Sequence, residues 1–228
     1  MKNEFTRGRL IVIEGLDGSG KATQAALLAE AFAKQGRNTR EVSFPDYKSE
    51  SSALVRMYLA GCFGENPLDV NAYAASSFYA VDRYASFKSD WGRFYREGGI
   101  VIADRYTTSN AIHQCSKLPE GEWPGFLEWL FHFEYDLLGI PAPDLVIYLL
   151  VDPAVSQRLL HDRYHGHDEE KDIHEKNLEY LYHSRQAADY CAATLGWRSI
   201  VCQENGQMRT IDDIHKSIIG IVEDEGLW

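Results

Sequence analysis

The 228-residue sequence has little of what marks a membrane, secreted or nucleic-acid-binding chain. No stretch approaches the roughly 20 apolar residues that a bilayer-spanning helix needs. The opening Met1-Lys2-Asn3-Glu4-Phe5 has no apolar secretory core behind it. The four cysteines, Cys62, Cys115, Cys191 and Cys202, form no C-x-x-C pair and no zinc-finger spacing. A chain of this length needs no disulfides, so they read as small buried hydrophobes in a reducing, cytoplasmic compartment. Cations are the minority: 23 Lys and Arg stand against 34 Asp and Glu, a net charge of −11. That balance argues against non-specific nucleic-acid binding, which needs many cations to displace condensed counterions. It says little about any single pocket. No repeat, low-complexity tract or linker interrupts the chain. With 45% apolar and 25% charged residues, it reads as one globular domain over residues 1–228.

What is present is an alternation of short apolar runs with helical periodicity. Arg9–Glu14, Thr39–Phe44, Ile100–Ala103 and Leu145–Leu150 read as strands, with Ser199–Cys202 a weaker fifth. Helical spacing covers 21–35 and, roughly, 69–96, 122–139, 153–163, 172–195 and 210–223. Such alternation implies an α/β fold: a five-stranded parallel sheet covered by helices on both faces, with ligands at the carboxyl ends of its strands. The polar, Gly-containing stretch Arg163–Lys171 suggests a short mobile flap over about 158–172; an ordinary solvated connection between helices has the same composition. His161, His165 and His167 lie nearby, but spacings of four and two suit no single helical face, and no zinc site is expected.

Gly15-Leu16-Asp17-Gly18-Ser19-Gly20-Lys21 matches G-x-x-x-x-G-K, the phosphate-binding loop. Its glycines let successive N–H groups turn toward phosphate oxygens, the helix that follows adds its positive end, and Lys21 reaches the terminal phosphates. A buried strand before the loop and an amphipathic helix after it supply the context. The loop departs from the motif at its eighth position. There a Ser or Thr hydroxyl should face Mg²⁺, and Ala22 stands instead, followed by Thr23. Magnesium keeps several waters, so one of them held by a carboxylate, Asp17 or Asp104, would fill that corner. Asp104-Arg105-Tyr106 follows the third strand, where an Asp suits metal-bound water and an Arg a phosphate; capping of the next helix is the other role open to Asp104.

Together with Phe44-Pro45, Phe78-Tyr79-Ala80-Val81-Asp82-Arg83, Asp104-Arg105-Tyr106-Thr107-Thr108-Ser109-Asn110, Gln114 and Asp172-Ile173-His174-Glu175, the loop resembles the thymidylate kinase family over nearly the whole chain. The resemblance implies a P-loop nucleoside monophosphate kinase that phosphorylates dTMP with ATP and Mg²⁺, as a homodimer, with no nucleic-acid or membrane partner. It implies that Asp17 meets the acceptor's sugar 3′-hydroxyl or its metal and that Arg105 meets its 5′-phosphate. Tyr79 would stack on thymine and Arg83 would bond the base edge, with Phe44, Asn110 and Gln114 in the same pocket. Residues four apart share a helical face, which suits Tyr79 and Arg83 as plate and fork. Among so many aromatics, Tyr79 would otherwise read as core.

Two further departures stand out. Where many family members carry Arg in F-P-x-R, this chain has Tyr47, with Arg56 the favoured substitute and Lys48 the other. The loop itself holds no second cation, so charge on the moving phosphoryl group is expected to meet Arg158 and Arg163 at the flap. Glu175 and Asp172 look like the family's metal- or Arg-orienting carboxylates, although all four would equally suit a salt-bridged helix surface. Two other functions share the motifs: a kinase for another pyrimidine nucleotide or nucleoside, and a non-catalytic nucleotide-binding module. Arg105 favours a monophosphate acceptor over a free nucleoside.

Overall fold

The computed structural model describes residues 7–163, 172–175 and 177–228. The chain runs through β1 (Arg9–Gly15), α1 (Lys21–Lys34), β2 (Thr39–Ser43), α2 (Ala53–Leu59) and α3 (Ala72–Ser86). A wider, π-type turn at Phe87–Trp91 carries α3 on into α4 (Gly92–Arg96). Next come β3 (Ile100–Asp104), α5 (Thr107–Cys115), α6 (Trp123–Phe131) and a second π-type segment, His132–Leu137. The last third holds β4 (Leu145–Leu150), α7 (Pro153–Arg163), α8 (Leu178–Leu195), β5 (Arg198–Val201), a hairpin of β6 (Gln203–Glu204) and β7 (Gln207–Met208), and α9 (Ile211–Asp224).

The five main strands lie in the order β2-β3-β1-β4-β5, and all pair in parallel. Side chains alternate faces along a strand, so a sheet covered on both sides needs apolar residues at every position. β1 meets that demand: Ile11 and Ile13 enter the core beneath α1 and α9 with Leu28, Phe32 and Ile218. Leu10 and Val12 enter the opposite core with Trp91, Val101 and Tyr106. All four β1 side chains are fully buried. The predicted sheet and its covering are therefore borne out.

One helix boundary and one whole helix differ from the sequence reading. α8 starts at Leu178, not near 172, because Asp172 closes a turn first: its Oδ1 accepts the amides of His174 (2.8 Å) and Glu175 (2.9 Å). Asn177 then caps α8 by accepting the Tyr180 amide at 3.0 Å. Periodicity also gave no outline of α5, whose residues Thr107, Thr108, Asn110, His113 and Gln114 are buried although polar. Most of the expected flap lies outside the described residues, as do His165 and His167.

Candidate active site

The loop between β1 and α1 is shaped by its glycines. A Cβ on Gly15 would stand 2.5 Å from Ser19 Oγ and 2.9 Å from the Leu149 carbonyl, so only hydrogen fits there. Gly20 has φ 87 and stands at the N-terminus of α1, whose first amides receive no side-chain cap. Uncapped amides at a helix N-terminus suit an anion. Lys21 is buried, and its Nζ donates to the Leu16 carbonyl across the loop at 2.8 Å. Burial and the neighbouring Arg105 guanidinium push its ammonium pKa down to about 8. Asp17, Gly18, Ser19, Gly20, Lys21, Ala22 and Thr23 form one wall of an open cleft of about 1150 Å³.

The lining continues where β3 ends, on the strand next to β1. Arg105 adopts φ 67, a left-handed conformation uncommon for a non-glycine residue, and its amide donates to the Ile13 carbonyl at 3.2 Å. Its Nη2 donates to Asp17 Oδ1 in a short contact, and its Nη1 lies 3.8 Å from Glu14 Oε1. Burial alone would raise the Asp17 carboxyl, but Arg105 and Lys21 outweigh it and hold the group well below the ordinary carboxylate range. Burial works against the Arg105 charge, yet Asp17, Glu14 and Asp104 raise its pKa further. Glu14 is fully buried and accepts from the Gly15 amide (2.9 Å), Thr108 Oγ1 (2.6 Å) and Ser109 Oγ (2.8 Å). The loop, Arg105 and the start of α5 are thus locked together around one carboxylate.

Deeper between α3 and α5 lies a pocket of about 70 Å³, walled by Phe44, Tyr79, Arg83, Asn110 and Gln114 and opening beside Asp17 and Arg105. Arg83 is buried and makes a bidentate pair with Glu134, Nε to Oε2 at 2.7 Å and Nη2 to Oε1 at 2.5 Å. Asn110 Nδ2 donates to the same carboxylate and to the Ser76 carbonyl, each at 3.2 Å. Gln114 differs. Its amide oxygen and nitrogen are both buried and have no hydrogen-bond partner among the described residues. An amide aimed at a pocket with both ends unpaired is complementary to a ligand carrying an adjacent donor and acceptor.

A family model described as Thymidylate kinase matches residues 13–218 of this chain. The chain belongs to the thymidylate kinase family. The thymidylate kinase of Mycobacterium tuberculosis is 32% identical over 195 residues, which span 82% of this chain and 87% of that protein. The probable thymidylate kinase of Pyrococcus horikoshii is 31% identical over 222 residues, covering 96% and 98%. The human thymidylate kinase is 26% identical over 221 residues, covering 96% and 91%. A solved structure of the thymidylate kinase from Candida albicans shares the fold at a TM-score of 0.68, with 21% identity over 97% of this chain and 93% of that one.

The residues expected from the thymidylate kinase resemblance distribute unevenly over this geometry. Tyr47 and Arg56 line the open cleft, and Arg56 Nη1 is bound to the Tyr47 and Ser49 carbonyls (3.2 and 2.9 Å) and to Ser52 Oγ (2.6 Å). Asp104 lines it too, with a buried Oδ1 that has no hydrogen-bond partner among the described residues. It does not cap α5, whose N-terminal flanking residue is Tyr106 with no side-chain cap. Glu175 is buried in the same wall and accepts the Asp172 amide at 3.2 Å. Arg158 is exposed and donates to the Gly206 carbonyl of the β6–β7 hairpin at 2.7 Å; it lines neither cavity. The Arg163 side chain lies outside the described residues.

Sequence reasoning missed four contributors. Glu134 orients Arg83 from within an aromatic-rich run; a lone acid at an apolar position was the available signal. Glu14 stood inside the quoted motif, but its role as a hub was not read. His113 and His174 line the small pocket with rings stacked at 5.5 Å and 19°. Burial, with Arg105 beside it, pushes His113 down to about 3; burial also holds His174 well below its ordinary value, and both are neutral.

Proposed function

We propose that this chain, acting as a single nucleotide-kinase domain, transfers the γ-phosphoryl group of ATP to the 5′-phosphate of dTMP and yields dTDP. One observation carries the reading: the phosphate loop and Arg105, joined through Asp17, line one cleft, next to a pocket whose Gln114 amide has no partner among the described residues. The ATP phosphates belong against Gly15–Thr23 and Lys21. The dTMP phosphate belongs at Arg105, with Asp17 beside its 3′-hydroxyl, thymine against Tyr79, and its edge at Gln114 and Arg83. A phosphate oxygen attacks in line, so no protein nucleophile is needed, and the protein's work is positioning and charge neutralisation. Arg163, at the end of α7, is assigned to charge on the moving group, whereas Arg158, which lines neither cavity, is not.

The donor set suits Mg²⁺. Among the described residues, no three His, Cys, Asp or Glu side chains gather into a site made by protein alone. Magnesium is commonly held by one or two carboxylates plus substrate phosphates and water. Asp104 Oδ1, with no partner among the described residues, would suit such a hydrated ion where Ala22 offers no hydroxyl; Asp17 and Glu175 line the same cleft. When bound, the ion neutralises charge on the β- and γ-phosphates.

Exposed apolar stripes support the homodimer: Leu54 and Met57 on α2, and Tyr73, Val81 and Tyr84 on α3. Four free cysteines suit the reducing cytoplasm. The test is ADP release from ATP with a panel of nucleoside monophosphates and nucleosides. Turnover should be fastest with dTMP; normal ATP binding without dTMP turnover would leave only a nucleotide-binding module.

A further inference from the structure

Arg105 is gripped from two sides. Asp17 takes Nη2 from the phosphate loop, while Nη1 faces two acceptors one helical turn apart on α5, Ser109 Oγ at 3.4 Å and His113 Nε2 at 3.5 Å. The hydrogen-bond pattern around His113 decides which of its nitrogens carries the proton. Tyr180 has one hydroxyl proton, and the His113 carbonyl, which can only accept, lies 3.0 Å away. The Tyr180 oxygen also lies 3.3 Å from His113 Nδ1, so Nδ1–H donates to it. Nε2 is then the bare nitrogen, and its lone pair points at the guanidinium.

The ring has little freedom to leave that position. His174 and Tyr180, whose own ring centroids are 4.7 Å apart, pack against it together from one side, at 5.5 and 6.0 Å with interplanar angles of 19° and 17°. His174 is itself pinned, its Nε2 to Tyr58 OH at 2.8 Å and its amide to Asp172 Oδ1 at 2.8 Å. Lys117 Nζ completes the chain by donating to Tyr58 OH at 2.8 Å. Residues from α2, α5, α8 and the 172–175 turn therefore converge to orient one imidazole toward one arginine.

We propose that His113 is a positioning residue for Arg105: its Nε2 lone pair holds the guanidinium in the orientation that receives the acceptor's phosphate. The proposal rests on the reading of Arg105 as the ligand of that phosphate, and the experiment separates the two. Calorimetric dissociation constants for dTMP and for thymidine, which lacks the phosphate, are compared in the parent, Arg105→Ala, His113→Phe, His113→Gln and the Arg105→Ala/His113→Phe double variant.

Losing a hydrogen bond to a charged group should weaken dTMP binding of His113→Phe by about tenfold more than it weakens thymidine binding. His113→Gln, whose amide oxygen can stand where Nε2 stood, should recover most of the loss. In the double variant the His113 change should add nothing to the loss caused by Arg105→Ala. Equal weakening of dTMP and thymidine in both His113 variants means a packing role and overturns the proposal. So does an unchanged dTMP constant in His113→Phe while Arg105→Ala loses affinity. If Arg105→Ala itself binds dTMP normally, the phosphate reading of Arg105 fails first and the proposal falls with it.

Discussion

At the scale of single residues, the site is built from charges that cannot be separated. Arg83 and Glu134 have 1% and 0% of their side chains exposed, so water solvates neither group and each is the other's compensation. Burial disfavours the Arg83 charge, but the paired carboxylate more than restores it and its pKa is raised. Glu134→Gln keeps the shape and removes the compensation. Breaking a buried pair typically costs about 3–5 kcal/mol, and a loss of that order should appear in urea unfolding, together with a raised KM for dTMP. A stability change under about 1 kcal/mol would mean that Arg83 finds another anion. Arg83 was legible in the sequence and Glu134 was not. Arg83 stands inside a motif, whereas its counter-ion arrives from 51 positions further along the chain, through tertiary packing.

At the scale of elements, the sheet was legible because its three central strands, β1, β3 and β4, are apolar runs, as burial on both faces demands, whereas the edge strands β2 and β5 bury one residue each. Helix α5 was not outlined, for the converse reason. It is buried on most sides, so it lacks the polar outer face that produces amphipathic periodicity, and its polar residues serve the site. Thr108 and Ser109 dock its first turn onto β1 through Glu14 Oε2 at 2.6 and 2.8 Å. Thr108→Val is nearly isosteric and leaves part of a buried carboxylate unsatisfied, at a cost of about 1–3 kcal/mol. Because Glu14 also faces Arg105, kcat/KM for dTMP should fall as well. A variant with parental stability and activity would show that Ser109 alone suffices to dock the helix.

At the scale of the whole molecule, the net charge of −11 hides a core whose buried groups set the response to acid. His113 and His174 are neutral in the fold, with His113 pushed down to about 3 and His174 well below its usual value. In the unfolded chain both take up protons below about pH 6.5. The stability they contribute is therefore present above that pH and lost as pH falls through it. Asp172 runs the other way. Burial and the nearby Asp17 charge raise it to about 7, so between about pH 4 and 7 the folded state keeps a proton that the unfolded state has released. For these three groups, two against one leave a net loss of about 1.4 kcal/mol per pH unit on acidification from about pH 6.5 to 4.5. Urea midpoints across that window should fall. His113→Gln should flatten it, because one of the two opposing protons is then never bound, and Asp172→Asn should steepen it by removing the compensating group. A midpoint that rises on acidification in the parent protein would mean that Asp172 and other carboxylates outweigh the histidine pair.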